Sequence, residues 1–215
     1  MIIPGSEYLT KIIHAASQCL LIPVIIGLII LLIYGLMELG NFLGEKRTRR
    51  KKKSFQLLET IYDTETGFPW NENKIKQVIE KSFLNARQTK LIENFLEKSN
   101  LSKEAKELIA KDIIDQEETQ LRHILNKTDL LAKVGPILGL MGTLIPLGPG
   151  LAALGQGDFV GLSEAIIVAF DTTVVGMLIG AVGSFISKIR NAWYNQDLNA
   201  LEMLLNLVIG GDEHA

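Results

Sequence analysis

The sequence predicts an all-α polytopic membrane protein with three transmembrane helices, long helices of which extend into a cytoplasmic helical domain. Three observations lead there. Charge is segregated along the 215 residues: between Lys11 and Glu38 the only titratable side chains are His14, Cys19 and Tyr34, between Lys133 and Asp158 there are none, and between Glu164 and Lys188 only Asp171 can ionise. Each gap reaches the roughly 20 residues that cross about 30 Å of hydrocarbon at 1.5 Å per residue. A dense basic cluster follows the first gap, and the charged middle of the chain carries apolar residues at helical spacing.

Residues 1–18 form an extracytoplasmic N-terminal segment, and 19–39 the first transmembrane helix. A cleaved signal peptide would carry its basic residues before the apolar stretch. Here only Lys11 precedes it, whereas Lys46, Arg47, Arg49, Arg50, Lys51, Lys52 and Lys53 follow. Such clusters stay on the cytoplasmic side, which leaves the N-terminus outside. Beside a membrane span, the cluster reads as a topology signal and a contact for anionic lipid rather than for nucleic acid. The lone Cys19 has no intrachain partner and reads as a small apolar residue.

Residues 40–133 form a cytoplasmic helical region. From Lys74 to Lys98, Ile75, Val78, Ile79, Leu84, Leu91, Ile92, Phe95 and Leu96 recur at helical spacing, with a break at Ser99-Asn100. From Ser102 onward Leu108, Ile109, Ile113, Leu121, Ile124, Leu125 and Leu131 continue the period without glycine or proline until Gly135, which predicts one helix running straight into the second span. The stretch from Thr64 to Asn71 is a loop by composition.

The second transmembrane helix covers 134–155, an outer loop 156–163 and the third transmembrane helix 164–187. Residues 188–215 form a cytoplasmic C-terminal helix, with Ile189, Trp193, Leu201, Leu204, Leu205 and Val208 on its apolar stripe, and a frayed tail from Gly210. In the second span Gly135, Gly139, Gly142, Thr143, Pro146 and Gly150 share about a quarter to a third of the helix circumference at 100° per residue. In the third, Ala169, Thr173, Gly176, Gly180, Ser184 and Ser187 form a narrow stripe of the same kind. Lipid tails are as apolar as leucine, so membrane helices associate by close backbone approach at such residues; Gly135 with Gly139 and Gly176 with Gly180 both have the GxxxG spacing.

Two hydroxyls sit on these faces near the bilayer middle, Thr143 about 18 Å and Thr173 about 14 Å from the outer loop along their helices. One reading of a threonine in a span is a hydroxyl that bonds back to its own helix and has no other role; the other, for two at similar depth on small faces, is a polar collar. Asp171 is the only acid away from the ends of a span, where ionised burial costs about 2.5 to 3.5 kcal/mol. It lies about 160° around the helix from Thr173, so both cannot face one lumen. Two readings of it stand side by side: a neutral acid bonded to a neighbouring helix, or a group in ion passage, placed in an inter-subunit crevice or the outer vestibule.

Enzyme chemistry is not expected. His14, His123 and His214 are scattered, no metal-ligand spacing exists, and no glycine-rich phosphate loop follows a strand. A secondary transporter would need more spans or an internal repeat.

The residues from Gly135 to Leu144, GPILGLMGTL, followed by Glu164-Ala165 and Thr172-Thr173-Val174-Val175-Gly176, resemble the signature of the MotA/TolQ/ExbB proton-channel family. The match covers about 131–196. The remaining layout is similar to the three-span TolQ/ExbB branch. The resemblance implies a stator-type channel subunit: a homopentamer in the cell's inner (cytoplasmic) membrane around a single-span partner of the ExbD/TolR/MotB kind, carrying protons or sodium ions and driving mechanical work on the envelope or a transport apparatus. It assigns Thr143 and Thr173 to the pore lining and implies no cofactor beyond the transported ion. Pro146 and Pro149 depart from the family pattern and imply a kink at the outer end of the second span; Asp171 departs from the position of the acid in ExbB relatives. The alternative is a membrane scaffold in which the same small faces only pack a bundle that anchors the cytoplasmic helices.

Overall fold

A computed structural model describes residues 6–51, 86–96 and 102–211. All of its regular structure is helical: α1 (Ser6–Cys19), α2 (Leu21–Lys51), α3 (Ala86–Leu96), α4 (Lys103–Gly155) and α5 (Phe159–Gly211), with no strand among the described residues. Three of the helices, α2, α4 and α5, are long and apolar enough to cross a membrane. The loop expected at 64–71, the break at Ser99-Asn100 and most of the tail lie outside the described residues.

Helix ends follow from local chemistry. Ser102 precedes α4, and its hydroxyl accepts the Ala105 amide at 3.4 Å, an N-cap. At the far end Asp158 N donates to Ala153 O at 2.9 Å and Gly157 N to Leu154 O at 3.0 Å, while Gly157 takes φ +79°. That pair of bonds around a left-handed glycine is the Schellman termination. The next residue starts a helix: Asp158 Oδ1 accepts the amides of Val160 at 3.1 Å and Gly161 at 3.0 Å. Thus the loop expected over 156–163 shortens to Gln156, Gly157 and Asp158, and α5 begins at Phe159.

α4 carries Pro136, Pro146 and Pro149 without interruption. A proline has no N–H, so each strips the carbonyl four residues earlier of its helical donor. For Pro149 that carbonyl is Ile145, and it is bonded instead by Gln18 Nε2 of α1 at 3.2 Å. The N-terminal segment thereby gains a helix of its own and a hydrogen-bonded anchor on the second span.

The chain divides into two compact units. The first comprises the described residues up to Asn41 and Asn126–Ser187. Its core joins Val24 and Leu28 of α2 to Leu131 and Ile145 of α4 and Ile179 of α5, flanked by Leu138, Met141 and Val175. The second unit holds the described part of Phe42–Leu125 together with Lys188–Ala215. There Ile92, Phe95 and Leu96 of α3 pack on Ala110 of α4 and on Ala200, Leu201, Leu204, Leu205 and Ile209 of α5. Burial of that apolar face, rather than local propensity, holds an 11-residue helix such as α3 in place. Leu108 and Ile124, counted in the apolar period of α4, stay 71% and 40% exposed.

Candidate ion-path site between α4 and α5

The glycines of α4 and α5 meet each other. A Cβ on Gly176 would stand 2.6 Å from Gly139 Cα, one on Gly180 2.5 Å from Pro136 Cγ, and one on Gly135 2.9 Å from Ile179 Cγ2. On Gly142 it would stand 2.6 Å from Thr172 Cβ. No residue with a side chain fits such separations without a shift, and at Gly139 and Gly176 the two backbones themselves come into contact. Gly183, against Ala132 N at 2.6 Å, belongs to this seam as well.

The third-span stripe differs in composition from the sequence expectation. Thr172 and Gly183 enter the seam, while Ser184 is exposed. Thr172 is 8% exposed and its hydroxyl bonds back to Val168 O at 2.9 Å and Ala169 O at 3.0 Å. Thr173, its neighbour, is half-buried at the rim. The two are about 100° apart on the helix, so only one can point into a glycine groove.

Contacts along the seam fix an antiparallel register. Gly150 meets Ala165, Gly142 meets Thr172, Gly139 meets Gly176 and Gly183 meets Ala132; each advance along α4 is matched, to within one residue, by a retreat along α5. In that register Thr143 and Thr173 stand at one level. Direction follows from the core contacts. Taking Gly139 and Gly176 as the facing points, Leu138, Ile145, Val175 and Ile179 lie to the side covered by α2, whereas Thr143 and Thr173 lie about 40° and 60° to the other side. Both hydroxyls therefore occupy one rim of the seam, flanked by the exposed Leu140, Leu144, Phe170 and Met177.

Each rim hydroxyl donates to its own helix, Thr143 Oγ1 to Leu140 O at 2.7 Å and Thr173 Oγ1 to Ala169 O at 2.9 Å. A hydroxyl whose proton is committed in this way still has its lone pairs, and can accept a hydrogen bond from water or hydronium or approach a cation.

Other expected site residues fall elsewhere. Asp171 is exposed and about 140° from Gly176, turned away from the threonine rim. Arg47 is exposed; Arg50 and Lys51 continue α2, and Lys52 and Lys53 lie outside the described residues.

Arg49, expected to serve topology and lipid, has protein partners in the second unit. Its guanidinium donates to Asp197 Oδ1 at 3.1 Å and Oδ2 at 2.5 Å and lies 5.1 Å from the Trp193 ring centroid. Glu45 joins it at 3.5 Å and also accepts Arg190 Nε at 3.0 Å, while Phe42 stacks on Trp193 at 5.5 Å. Burial lowers the Arg49 pKa, but the bond and charge of Asp197 outweigh it and the net direction is up. The sequence signal for this network was faint: an Arg, Trp, Tyr and Asp spaced along α5 at Arg190, Trp193, Tyr194 and Asp197. Sequence reasoning also passed over Asp129, whose Oδ1 accepts the Ser187 hydroxyl at 2.5 Å.

Among the described residues no three His, Cys, Asp or Glu side chains converge on a point that could hold a metal ion. Neither the curated proteins nor the solved structures yield a match to the chain. The family model of the MotA/TolQ/ExbB proton channels matches residues 74–203, which takes in the middle and C-terminal helices, the glycine seam and both rim threonines. The chain, with its three membrane-crossing helices, belongs to the MotA/TolQ/ExbB proton channel family.

Proposed function

We propose that this protein is the channel subunit of a stator-type complex, in which the rim bearing Thr143 and Thr173 faces a central cavity occupied by a single-span partner. Five copies enclose that partner, of the ExbD/TolR/MotB kind, and proton or sodium flow along the rim drives mechanical work on the envelope or a transport apparatus. The chain lies in the inner membrane with its N-terminus outside and its C-terminus in the cytoplasm, an orientation supported by the basic cluster after the first span.

The observation that carries this reading is the level placement of two half-buried hydroxyls on one open rim. The glycines are consumed within the hairpin and hold α4 against α5; the threonines are left over for a second molecule. A proton or cation moving past them meets oxygen lone pairs at a depth where lipid offers none. Asp171, facing away, belongs on this reading to a boundary between neighbouring copies.

The test is the Thr143→Val, Thr173→Val double variant, isosteric and without hydroxyls. Ion flux through the purified complex falls by about tenfold or more while the ring and its partner still assemble. Unchanged flux would refute the assignment, and a protein that never forms a ring would favour the scaffold reading.

A further inference from the structure

Following the threonine rim away from the α4–α5 turn leads to an acid that the reading above does not use. Asp129 precedes Thr143 by fourteen residues and Ser187 follows Thr173 by fourteen, so the Asp129–Ser187 hydrogen bond lies in the same antiparallel register, about 21 Å down the helices. Projected on α4, Asp129 falls about 40° from Thr143, on the same side of the seam. Between the two levels the rim carries Leu140, Pro136, Met177 and Ser184, and one ionisable group, the exposed Lys133, about 20° from Leu140 on α4 and one turn from Asp129.

The geometry at Asp129 is that of a held carboxylate. Ser187 donates to Oδ1, and both side chains are half-buried. Among the described residues Oδ2 has no hydrogen-bond partner. The surrounding charges are few. On α4 the exposed Lys133 lies one turn away, about 40° from Asp129 on the rim side, and the exposed Lys127 about 160° away. On α5 the facing groups are Ser184 and Ser187. On α2, Gly27 meets Leu138, so Glu38, 9% exposed and itself engaged, reaches the same layer from the opposite side of the seam.

We infer that Asp129 is the proton-accepting station at the cytoplasmic end of the threonine rim, oriented by Ser187. A hydronium ion arriving along the rim transfers a proton to Oδ2, forming the O–H bond of the neutral acid and leaving water. The acid returns that proton to cytoplasmic water, and Ser187 holds the carboxyl in place through both steps. The inference rests on the channel reading of the rim and adds to it an acid fixed on this chain, separate from any on the partner.

The complex is purified from its native membrane by a tag on this chain, reconstituted into phosphatidylethanolamine–phosphatidylglycerol vesicles, and proton uptake is read with an internal pH dye under an imposed potential. Asp129→Asn is expected to cut uptake by about tenfold or more, Asp129→Glu to retain most of it, and Ser187→Ala to change it by less than about threefold, with the ring intact in each. If Asp129→Asn conducts normally while the double threonine variant does not, the rim reading stands and the Asp129 assignment falls. If Asp129→Asn and Ser187→Ala lose flux equally and melt earlier together, the pair is only a clamp and the assignment falls. If the double threonine variant conducts as well, the rim reading itself has failed and the inference with it.

Discussion

Arg49 and Asp197, 148 residues apart in sequence, form a bidentate pair in which the acid is 2% exposed and the base reaches outward across the Trp193 ring. The asymmetry decides which partner is costly to lose. Removing Arg49 takes a bidentate cationic partner from a buried carboxylate; removing Asp197 leaves a guanidinium that can turn toward water. In detergent melts followed by helical circular dichroism, Arg49→Ala therefore lowers stability by about 3 kcal/mol, and Asp197→Ala by clearly less. Equal losses would show that packing on Trp193 and Tyr194, not charge, holds the pair.

The same network pushes the Tyr194 phenol up to about 12, through burial first and the charge of Glu45 second, with Arg190 and Arg49 pulling the other way. A folded pKa above the unfolded value means that the folded protein keeps its proton longer. The corresponding stability is complete below about pH 10 and drains away as pH rises toward 12. Ultraviolet titration of the wild type minus Tyr194→Phe should isolate a phenol ionising near the upper end of that window. A difference midpoint near 10 would count against the network's integrity in solution.

Glycine substitutions should divide sharply by position. At Gly176 a methyl would meet Gly139 Cα at 2.6 Å, backbone that cannot rotate away, whereas at Gly44 nothing lies within 4 Å. Gly176→Ala is expected to cost about 2 kcal/mol or more through overpacking. Gly44→Ala is expected to stabilise by up to about 1 kcal/mol through helix propensity. Thermal melts of both variants in one detergent make the comparison.

Gln18 and Pro149 are coupled through a carbonyl that neither owns. Gln18→Ala removes the donor to Ile145 O, a loss of about 1 kcal/mol. In a Pro149→Ala background the restored amide bonds that carbonyl in the helix, and the effect of Gln18→Ala should shrink toward zero. A double-mutant cycle measures the difference directly; additive effects would place the Gln18 bond outside the energetics.

Much of the architecture was legible in the sequence, because gaps in charge and helical apolar periods are written in single residues. The three membrane-crossing helices followed from them, as did the helical character of the described parts of the middle and C-terminal regions. The turn is also encoded: Gly157 and Asp158 are the residues that a Schellman end and an N-cap require, but Val160, Gly161 and Leu162 suit loop or helix alike, so composition does not place the start of α5. The seam was half legible. A wheel drawn on one helix finds the small face, yet whether Thr172 or Thr173 enters the groove depends on the angle at which two helices cross. Pairs such as Arg49–Asp197 and Asp129–Ser187 link residues far apart in the chain, and no local pattern announces them.

The three-residue turn at Gln156–Asp158 has a consequence for how this chain can vary. Surface hairpin tips usually accept insertions and deletions freely, since slack there is cheap. This one has no slack: a single added residue absorbed into α5 would advance it by about 1.5 Å and swing it by about 100°. Thr173 would then leave the level of Thr143 while Gly176 left Gly139, so one indel at the tip would put the whole hairpin out of phase.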